Sequence, residues 1–152
     1  MTGAKKRQRT WLWFFVYTVL MLWLLFGQRI EGGSVEISLR GNAEKINLVP
    51  FETLRLYWRV LQKGGSQRLL LHSVINLAGN VVMFVPFGWF LPSLWRLFRG
   101  FFRTLIFGAS LICLIELLQY ITGLGSCDID DLILNTVGIL FGYCFWKGKR
   151  KK

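Results

Sequence analysis

The sequence has few acidic residues and few of the side chains that form metal or disulfide sites. Its 152 residues include eight Asp and Glu, three Cys and one His. The cysteines lack the C-x-x-C spacing of zinc and redox sites, so we expect neither a disulfide framework nor a metal site. There is no H-E-x-x-H pattern and no glycine-rich phosphate loop. We therefore predict no metal and no cofactor.

Apolar residues and positive charge are abundant. Hydrophobic residues make up 53% of the chain and aromatic residues 16%, and 19 Lys and Arg give a formal charge of +11. A core of this size cannot hide so much apolar surface, so lipid is the expected solvent for much of it. The bases stand in clusters between apolar runs and not along one amphipathic face, which argues against nucleic-acid binding and indicates a membrane protein.

Four apolar runs predict four membrane-spanning helices. They cover residues 11–26, 69–91, 104–121 and 132–146. None of the last three shows the charged face of a soluble helix at 3.6-residue spacing. The first run resembles either an anchor or a signal peptide, but it ends without small residues for cleavage, so we predict an uncleaved helix. The predicted fold class is an all-α integral membrane protein.

The distribution of bases predicts that both termini are cytoplasmic. Segments 1–10, 92–103 and 147–152 hold 12 Lys and Arg in 28 residues, whereas segments 27–68 and 122–131 hold seven in 52. The positive-inside rule places the first set in the cytoplasm. The chain then divides into a basic N-terminus at 1–10, a first helix at 11–26, an external loop at 27–68, a three-helix core at 69–146 and a basic tail at 147–152.

The external loop contains one predicted helix. In residues 50–62, Leu54, Tyr57, Trp58 and Leu61 fall on one side and charged residues on the other. A proline at position 50 suits the first turn of this helix. We expect it to lie at the outer leaflet, with Trp and Tyr at headgroup depth. The alternative is a surface helix of a small external domain.

Polar residues inside the second and third runs are candidate functional residues. An ionisable side chain that faces lipid costs at least ~2.5 kcal/mol, so such residues face the bundle interior or a wet cavity. His72, Asn76 and Asn80 recur at intervals of four and share one helix face. Glu116 and Gln119 share a face of the third run. Glu116 is the candidate acid or base if the protein is an enzyme.

The fourth run carries one stripe of polar and small residues. Asp131, Asn135, Gly138 and Gly142 follow each other at i, i+4, i+7 and i+11. The two glycines let another helix approach closely, including one from a second copy or a membrane partner. In the second run a proline and a nearby glycine predict a kink. The residues expected to shape helix packing are Pro86, Gly88, Gly138 and Gly142.

Similar depth predicts that the polar residues of the three helices form one cluster. At ~1.5 Å per residue, His72, Glu116 and Asn135 each lie within about 5–7 Å of the external helix ends. The predicted polar or ligand-binding cluster consists of His72, Asn76, Asn80, Glu116, Gln119, Asp128, Asp131 and Asn135.

Each of these residues also has a structural interpretation. Asn and Gln side chains commonly form hydrogen bonds between membrane helices. Asp128 could cap the fourth helix, with Asp130 and Asp131 in its positive first turn. Asp130 is accordingly expected to contribute only a helix-terminus charge, whose loss should matter little.

Four motifs in series resemble those of the VanZ-like membrane proteins. They are NLVPF at 47–51, NVVMFVPFG at 80–88, IELLQ at 115–119 and DIDDLILNTVG at 128–138. The resemblance implies a small multi-pass protein of the bacterial plasma membrane, of the kind associated with resistance to teicoplanin and related lipid-tailed glycopeptides. The motif positions carry over Asn80, Pro86, Gly88, Glu116, Gln119, Asp128, Asp131, Asn135 and Gly138.

One departure from the family pattern lies just before the fourth motif. Many relatives carry an arginine there, whereas Gly125, Ser126 and Cys127 precede Asp128 in this chain. A salt bridge or anion contact by that arginine is therefore not expected here.

Three functional hypotheses follow from the sequence. The first is a non-enzymatic factor for resistance or envelope homeostasis, in which an outer-leaflet polar pocket binds a membrane lipid, a lipid-linked wall precursor or a lipoglycopeptide. The second is an intramembrane enzyme on a lipid-linked envelope substrate, with Glu116 as acid or base. The third is a structural subunit of a membrane complex that packs through Gly138 and Gly142.

Overall fold

The computed structural model describes residues 3–27, 46–62 and 67–150, and it is mostly helical. Most of the predicted external loop, and the side chains of His72, Tyr57 and Leu61, lie outside the described part. The helices are α1 (Gly3–Leu22), α2 (Glu52–Gln62), α3 (Gln67–Leu94), α4 (Phe101–Ile121) and α5 (Ile129–Arg150). A π-helical turn at Trp23–Gly27 continues α1, and a 3-10 turn at Arg96–Arg99 joins α3 to α4.

Four of the described helices are long and apolar enough to cross a membrane. The candidate spans are Gly3–Gly27, Val74–Leu94, Phe101–Ile121 and Ile129–Arg150, each of 21 to 25 residues. Twenty-one residues at about 1.5 Å each span about 31 Å, the thickness of a bilayer's hydrocarbon core. The prediction of four helices that are long and apolar enough to cross a membrane is therefore confirmed.

Helices α3 and α5 pack with their backbones in contact. A Cβ built on Gly142 would lie 2.0 Å from the carbonyl oxygen of Val85, and one on Gly88 would lie 2.1 Å from that of Ile139. Gly138 is equally crowded against α3. Because no side chain fits at these positions, the small-residue stripe of α5 serves contact with α3 of the same chain.

The core lies where α1, α3, α4 and α5 meet, and α1 is the most peripheral of the four. The buried cluster consists of Met21, Leu25, Phe84, Phe87, Leu91, Ile112, Ile115 and Ile139. The hydroxyl of Tyr17 donates to the carbonyl oxygen of Met83 at 2.8 Å, which ties α1 to the middle of α3. Phe14 packs edge-on against Phe90 and Trp95.

A short parallel strand pair, absent from the all-α prediction, joins the segment before α2 to the segment before α5. Strand β1 (Ile46–Asn47) pairs with strand β2 (Cys127–Asp128). The pairing holds the segment before α2 against the start of α5.

Helix α2 begins two residues later than the predicted 50–62 helix. Pro50 and Phe51 form the preceding turn, in which Phe51 has a φ of 66°. Left-handed backbone at a bulky residue interrupts right-handed helix, so the helix starts at Glu52. Its position at the membrane surface stays a prediction.

Candidate functional site

Four carboxyl groups gather where α4 ends and α5 begins. We call Glu116, Asp128, Asp130 and Asp131 the acidic cluster. Two of its members are buried, since Glu116 is 6% and Asp130 0% exposed. Three of the four precede or occupy the first turn of α5, whose positive end favours negative charge.

Asp130 holds the start of α2. Its Oδ1 accepts the backbone N–H of Phe51 at 2.5 Å, and its Oδ2 accepts that of Leu54 at 3.4 Å. These N–H groups lie at or just before the first turn of α2, where the helix itself supplies no acceptors. The expectation that Asp130 contributes only a helix-terminus charge is therefore wrong, because it caps another helix from a fully buried position.

Asp128 caps its own helix and connects it to the loop and to α4. Its Oδ1 accepts the N–H of Asp130 at 2.8 Å, the N-cap bond to the second helical residue. The same oxygen lies 3.3 Å from Nδ2 of Asn47. The N–H of Asp128 points to Oε2 of Glu116 at 3.5 Å, a long contact.

Two amide side chains connect neighbouring helices. Nδ2 of Asn80 donates to Oδ1 of Asp131, which joins α3 to α5. Nε2 of Gln119 donates to the carbonyl oxygen of Leu25 at 2.9 Å, which joins α4 to the end of the α1 segment. Gln119 is buried, at 3% exposure.

Asn135 is the buried polar residue whose partner is missing from the described part. It is 3% exposed, and its Oδ1 has no hydrogen-bond partner among the described residues. An unpaired buried acceptor costs about 1–3 kcal/mol, so a donor is expected here from water, a ligand or a side chain outside the described part. The side chain of His72 is not described and Asn76 is half-buried. That Glu116, His72 and Asn135 share one cluster stays a prediction.

Cys127 directly precedes Asp128, and its surroundings do not activate the thiol. Burial, together with the negative charges of Glu116 and Asp128, raises the thiol pKa above its ordinary value. A protonated thiol is a weak nucleophile. Within the described ranges, moreover, no three His, Cys, Asp or Glu side chains are placed to hold a metal ion.

An apolar groove opens between α1, α3 and α4. It has a volume of about 510 Å³ and reaches from Phe26 and Leu118 near the acidic cluster to Phe98 and Phe107 near the other end of the bundle. Ile115 also lines it. We call it the α1–α4 groove. Because Ile115 and Leu118 alternate along α4 with the buried polar Glu116 and Gln119, the groove and the polar residues lie at the same level.

Sequence reasoning missed two residues of this site. Asn47 appears in the first motif but was not singled out, although its Oδ1 accepts the N–H of Val49 at 3.2 Å in an Asx turn. The signal was available, because Asn three residues before Pro50 is typical of a turn. Asp130 carried no distinguishing signal, since an Asp in the first turn of a helix is explained equally well by the helix dipole.

Comparison with known proteins connects this arrangement to one family. The VanZ/LLP1 family model matches residues 14–150. Protein VanZ of Enterococcus faecium is 38% identical over 128 residues, which cover 84% of this chain and 66% of the relative, slightly less than two thirds of its length. No solved structure matches significantly. With four spanning helices and a family match over nearly its whole length, the chain is a multi-pass membrane protein that belongs to the VanZ/LLP1 family.

Proposed function

We propose that this protein contributes to resistance against teicoplanin-type lipoglycopeptides, or to cell-envelope homeostasis, by holding a lipid or lipid-tailed ligand in the outer leaflet of the bacterial plasma membrane. The family supplies the association with glycopeptide resistance. The distribution of bases supports an orientation with the acidic cluster at the outer face.

The observation that carries the proposal is a set of buried polar residues at the same level of the bundle as an apolar groove. An amphiphile needs partners for its headgroup and a channel for its chain. Glu116 and Oδ1 of Asn135, an atom with no hydrogen-bond partner among the described residues, supply buried polar atoms. The α1–α4 groove supplies an almost wholly apolar lining. The groove volume of about 510 Å³ lies within the range of ligand sites, about 300–1,000 Å³.

The burial of Glu116 also favours a second candidate, an enzyme on a lipid-linked envelope substrate. A carboxyl withdrawn from water can act as a general acid or base. This mechanism would have to work without a covalent thiol intermediate at Cys127, because the pKa of that thiol is raised by burial.

Replacing Glu116 tests both candidates. Glu116→Gln keeps the size and the hydrogen-bonding capacity of the side chain but removes the ionisable proton. We expect a strain deleted for the gene and complemented with Glu116→Gln to be as susceptible to teicoplanin as the deletion strain. Glu52→Gln, at an exposed carboxyl of α2, is the matched control and should protect fully.

Two further measurements are needed, namely the abundance of each variant in the membrane and susceptibility to a second antibiotic. Membrane immunoblots should show equal amounts of both variants. Susceptibility to a glycopeptide without a lipid tail should change less than susceptibility to teicoplanin. Full protection by Glu116→Gln at equal abundance would show that the Glu116 carboxyl is not required for resistance. Equal protection against both antibiotics would show that the protein does not recognise the lipid tail.

A further inference from the structure

The end of the bundle opposite the acidic cluster carries only basic charges. The three segments predicted to be cytoplasmic contain 12 Lys and Arg and no Asp or Glu. Between the start of α1 and the ends of α3 and α5 lies a cavity of about 400 Å³, whose lining includes Lys6, Arg7, Lys149 and Arg150. We call it the basic cavity. Among the described residues, no acidic side chain lines it.

Aromatic rings position two of these cations. Nζ of Lys149 lies 5.9 Å from the ring centroid of Trp89, and the guanidinium carbon of Arg150 lies 5.5 Å from that of Trp146. Cation–π contacts of this length hold the charges over the indole faces. Trp is also typical of the headgroup level of a bilayer. The basic cavity thus has the chemistry of a membrane–water interface.

A second basic cavity extends this surface. It has a volume of about 420 Å³ and includes Arg7, Arg96 and Arg99 in its lining. The two cavities share Arg7, so their cations form one continuous anion-attracting surface around the start of α1.

An apolar groove continues from the basic cavity into the membrane. It lies between α3 and α5, has a volume of about 730 Å³ and is lined by Val85, Pro86, Phe90 and Phe145 among others. Trp89 and Lys149 line both the groove and the basic cavity. We call it the α3–α5 groove. A molecule with a negative headgroup and an apolar chain would fill both spaces at once.

We propose that the basic cavity and the α3–α5 groove together bind one anionic phospholipid of the cytoplasmic leaflet. Its phosphate lies among Lys6, Arg7, Lys149 and Arg150, and one acyl chain lies in the groove. Basic pockets between membrane helices on the cytoplasmic side suit such headgroups. The bound lipid bridges α1, α3 and α5, three helices that line the cavity. This site is separate from the ligand proposed for the outer leaflet.

Native mass spectrometry of the full chain in detergent tests the proposal. Phosphatidylglycerol, phosphatidylcholine and glycerol 3-phosphate are the three probes. We expect phosphatidylglycerol to bind about tenfold or more tightly than phosphatidylcholine, because basic residues near the membrane surface attract an anionic headgroup. Soluble glycerol 3-phosphate should bind weakly, since it leaves the groove empty. Equal binding by the soluble phosphate would overturn the lipid assignment.

A pair of charge-matched variants distinguishes binding at a specific site from general attraction by the positive charge of the protein. The first replaces Lys6, Arg7, Lys149 and Arg150 with Gln. The second replaces four cations that line none of these cavities and lie in the same three segments, namely Lys5, Arg9, Arg103 and Lys147. The first should lose the preference for phosphatidylglycerol and the second should keep it. Equal losses would show attraction by net charge only and would overturn the site.

A variant without any change of charge tests the groove. A Cβ at Gly148, which lines the groove, meets nothing within 4 Å, so Gly148→Leu enters the groove without a backbone collision. Gly79→Leu, at an equally open position of α3, is the control. Gly148→Leu should weaken phosphatidylglycerol binding severalfold and Gly79→Leu should not. Unchanged binding to Gly148→Leu would overturn the placement of the acyl chain and with it the proposal.

Discussion

The buried carboxyls of the acidic cluster differ in the groups they face. Asp130 accepts two backbone N–H groups of the segment before and within α2, and it is fully buried. Glu116 faces the N–H of Asp128 at a longer distance. The closer contacts show that Asp130 anchors backbone, whereas Glu116 lies at the level of the α1–α4 groove. Burial alone therefore does not separate a structural carboxyl from a functional one.

Replacing Asp130 with Asn should detach the external segment. One carboxylate oxygen becomes an NH₂ group that faces a backbone N–H, so one buried donor loses its acceptor. Hydrogen bonds to charged groups contribute about 1.5–3 kcal/mol each, so we expect local opening that is at least tenfold more frequent. The left-handed Phe51 should relax, because a bulky residue there is strained by about 1–3 kcal/mol.

Hydrogen exchange measured by mass spectrometry reports this opening directly. Amides of residues 46–56 should exchange faster in Asp130→Asn than in the unaltered chain, with α4 little affected. Glu52→Gln is the control, because it removes an exposed carboxyl beside the same turn. Identical exchange in both variants would mean that Asp130 does not anchor the segment.

At the scale of elements, the contact between α3 and α5 organises the bundle. Three glycines let the two backbones touch, and the Asn80–Asp131 hydrogen bond joins the same helices near the acidic cluster. Close contact between backbones is favourable in lipid, where packing and hydrogen bonds replace the hydrophobic drive between helices. The position of Asn80 and Asp131 thus depends on the glycines deeper in the pair.

Replacing a glycine with alanine is expected to lower stability at one position and to raise it at another. In Gly142→Ala the new Cβ would lie 2.0 Å from the Val85 carbonyl oxygen, so α3 must move and stability should fall by about 1–3 kcal/mol. In Gly79→Ala the Cβ meets nothing within 4 Å, and the better helix propensity should add up to about 1 kcal/mol. Thermal unfolding in detergent measures both. A melting temperature for Gly142→Ala at or above that of the unaltered chain would contradict the close packing.

The elements could be predicted from sequence to different degrees. The four spanning helices were predictable, because long apolar runs are required by the thickness of a bilayer. The strand pair was not, since two residues at Ile46–Asn47 carry no periodicity. That the stripe of α5 would contact α3 of the same chain was also unpredictable, because glycines permit a close approach without choosing the partner. The role of Asp130 could not be predicted without knowing that the backbone of Phe51 and Leu54 lies against it.

At the scale of the whole molecule, charge is divided between the two ends of the bundle. All described carboxyls lie in or near the external segments of the predicted topology, and the clustered bases lie at the other end. The division matches two proposed sites of different chemistry, a buried carboxyl site beside the α1–α4 groove and a basic site beside the α3–α5 groove. Both assignments to leaflets depend on the orientation of the chain in the membrane.

Orientation is tested by labelling single cysteines in intact cells with a membrane-impermeant maleimide. The background replaces Cys113, Cys127 and Cys144 with Ala, so that each variant contains only its reporter cysteine. Ser126→Cys is the outside reporter, since Ser126 is exposed in the loop before α5. It should label in intact cells.

Cysteines at Gln8, Leu97 and Arg150 are the inside reporters, one in each basic segment. They should label only after the cells are lysed, because 12 of the 19 bases lie in those segments and hold them in the cytoplasm. The lysed sample is the control that each thiol is reactive. Labelling of any inside reporter in intact cells would contradict the predicted topology. The acidic cluster would then no longer face the antibiotic, and the resistance mechanism proposed for it would fail together with the inner-leaflet assignment of the lipid.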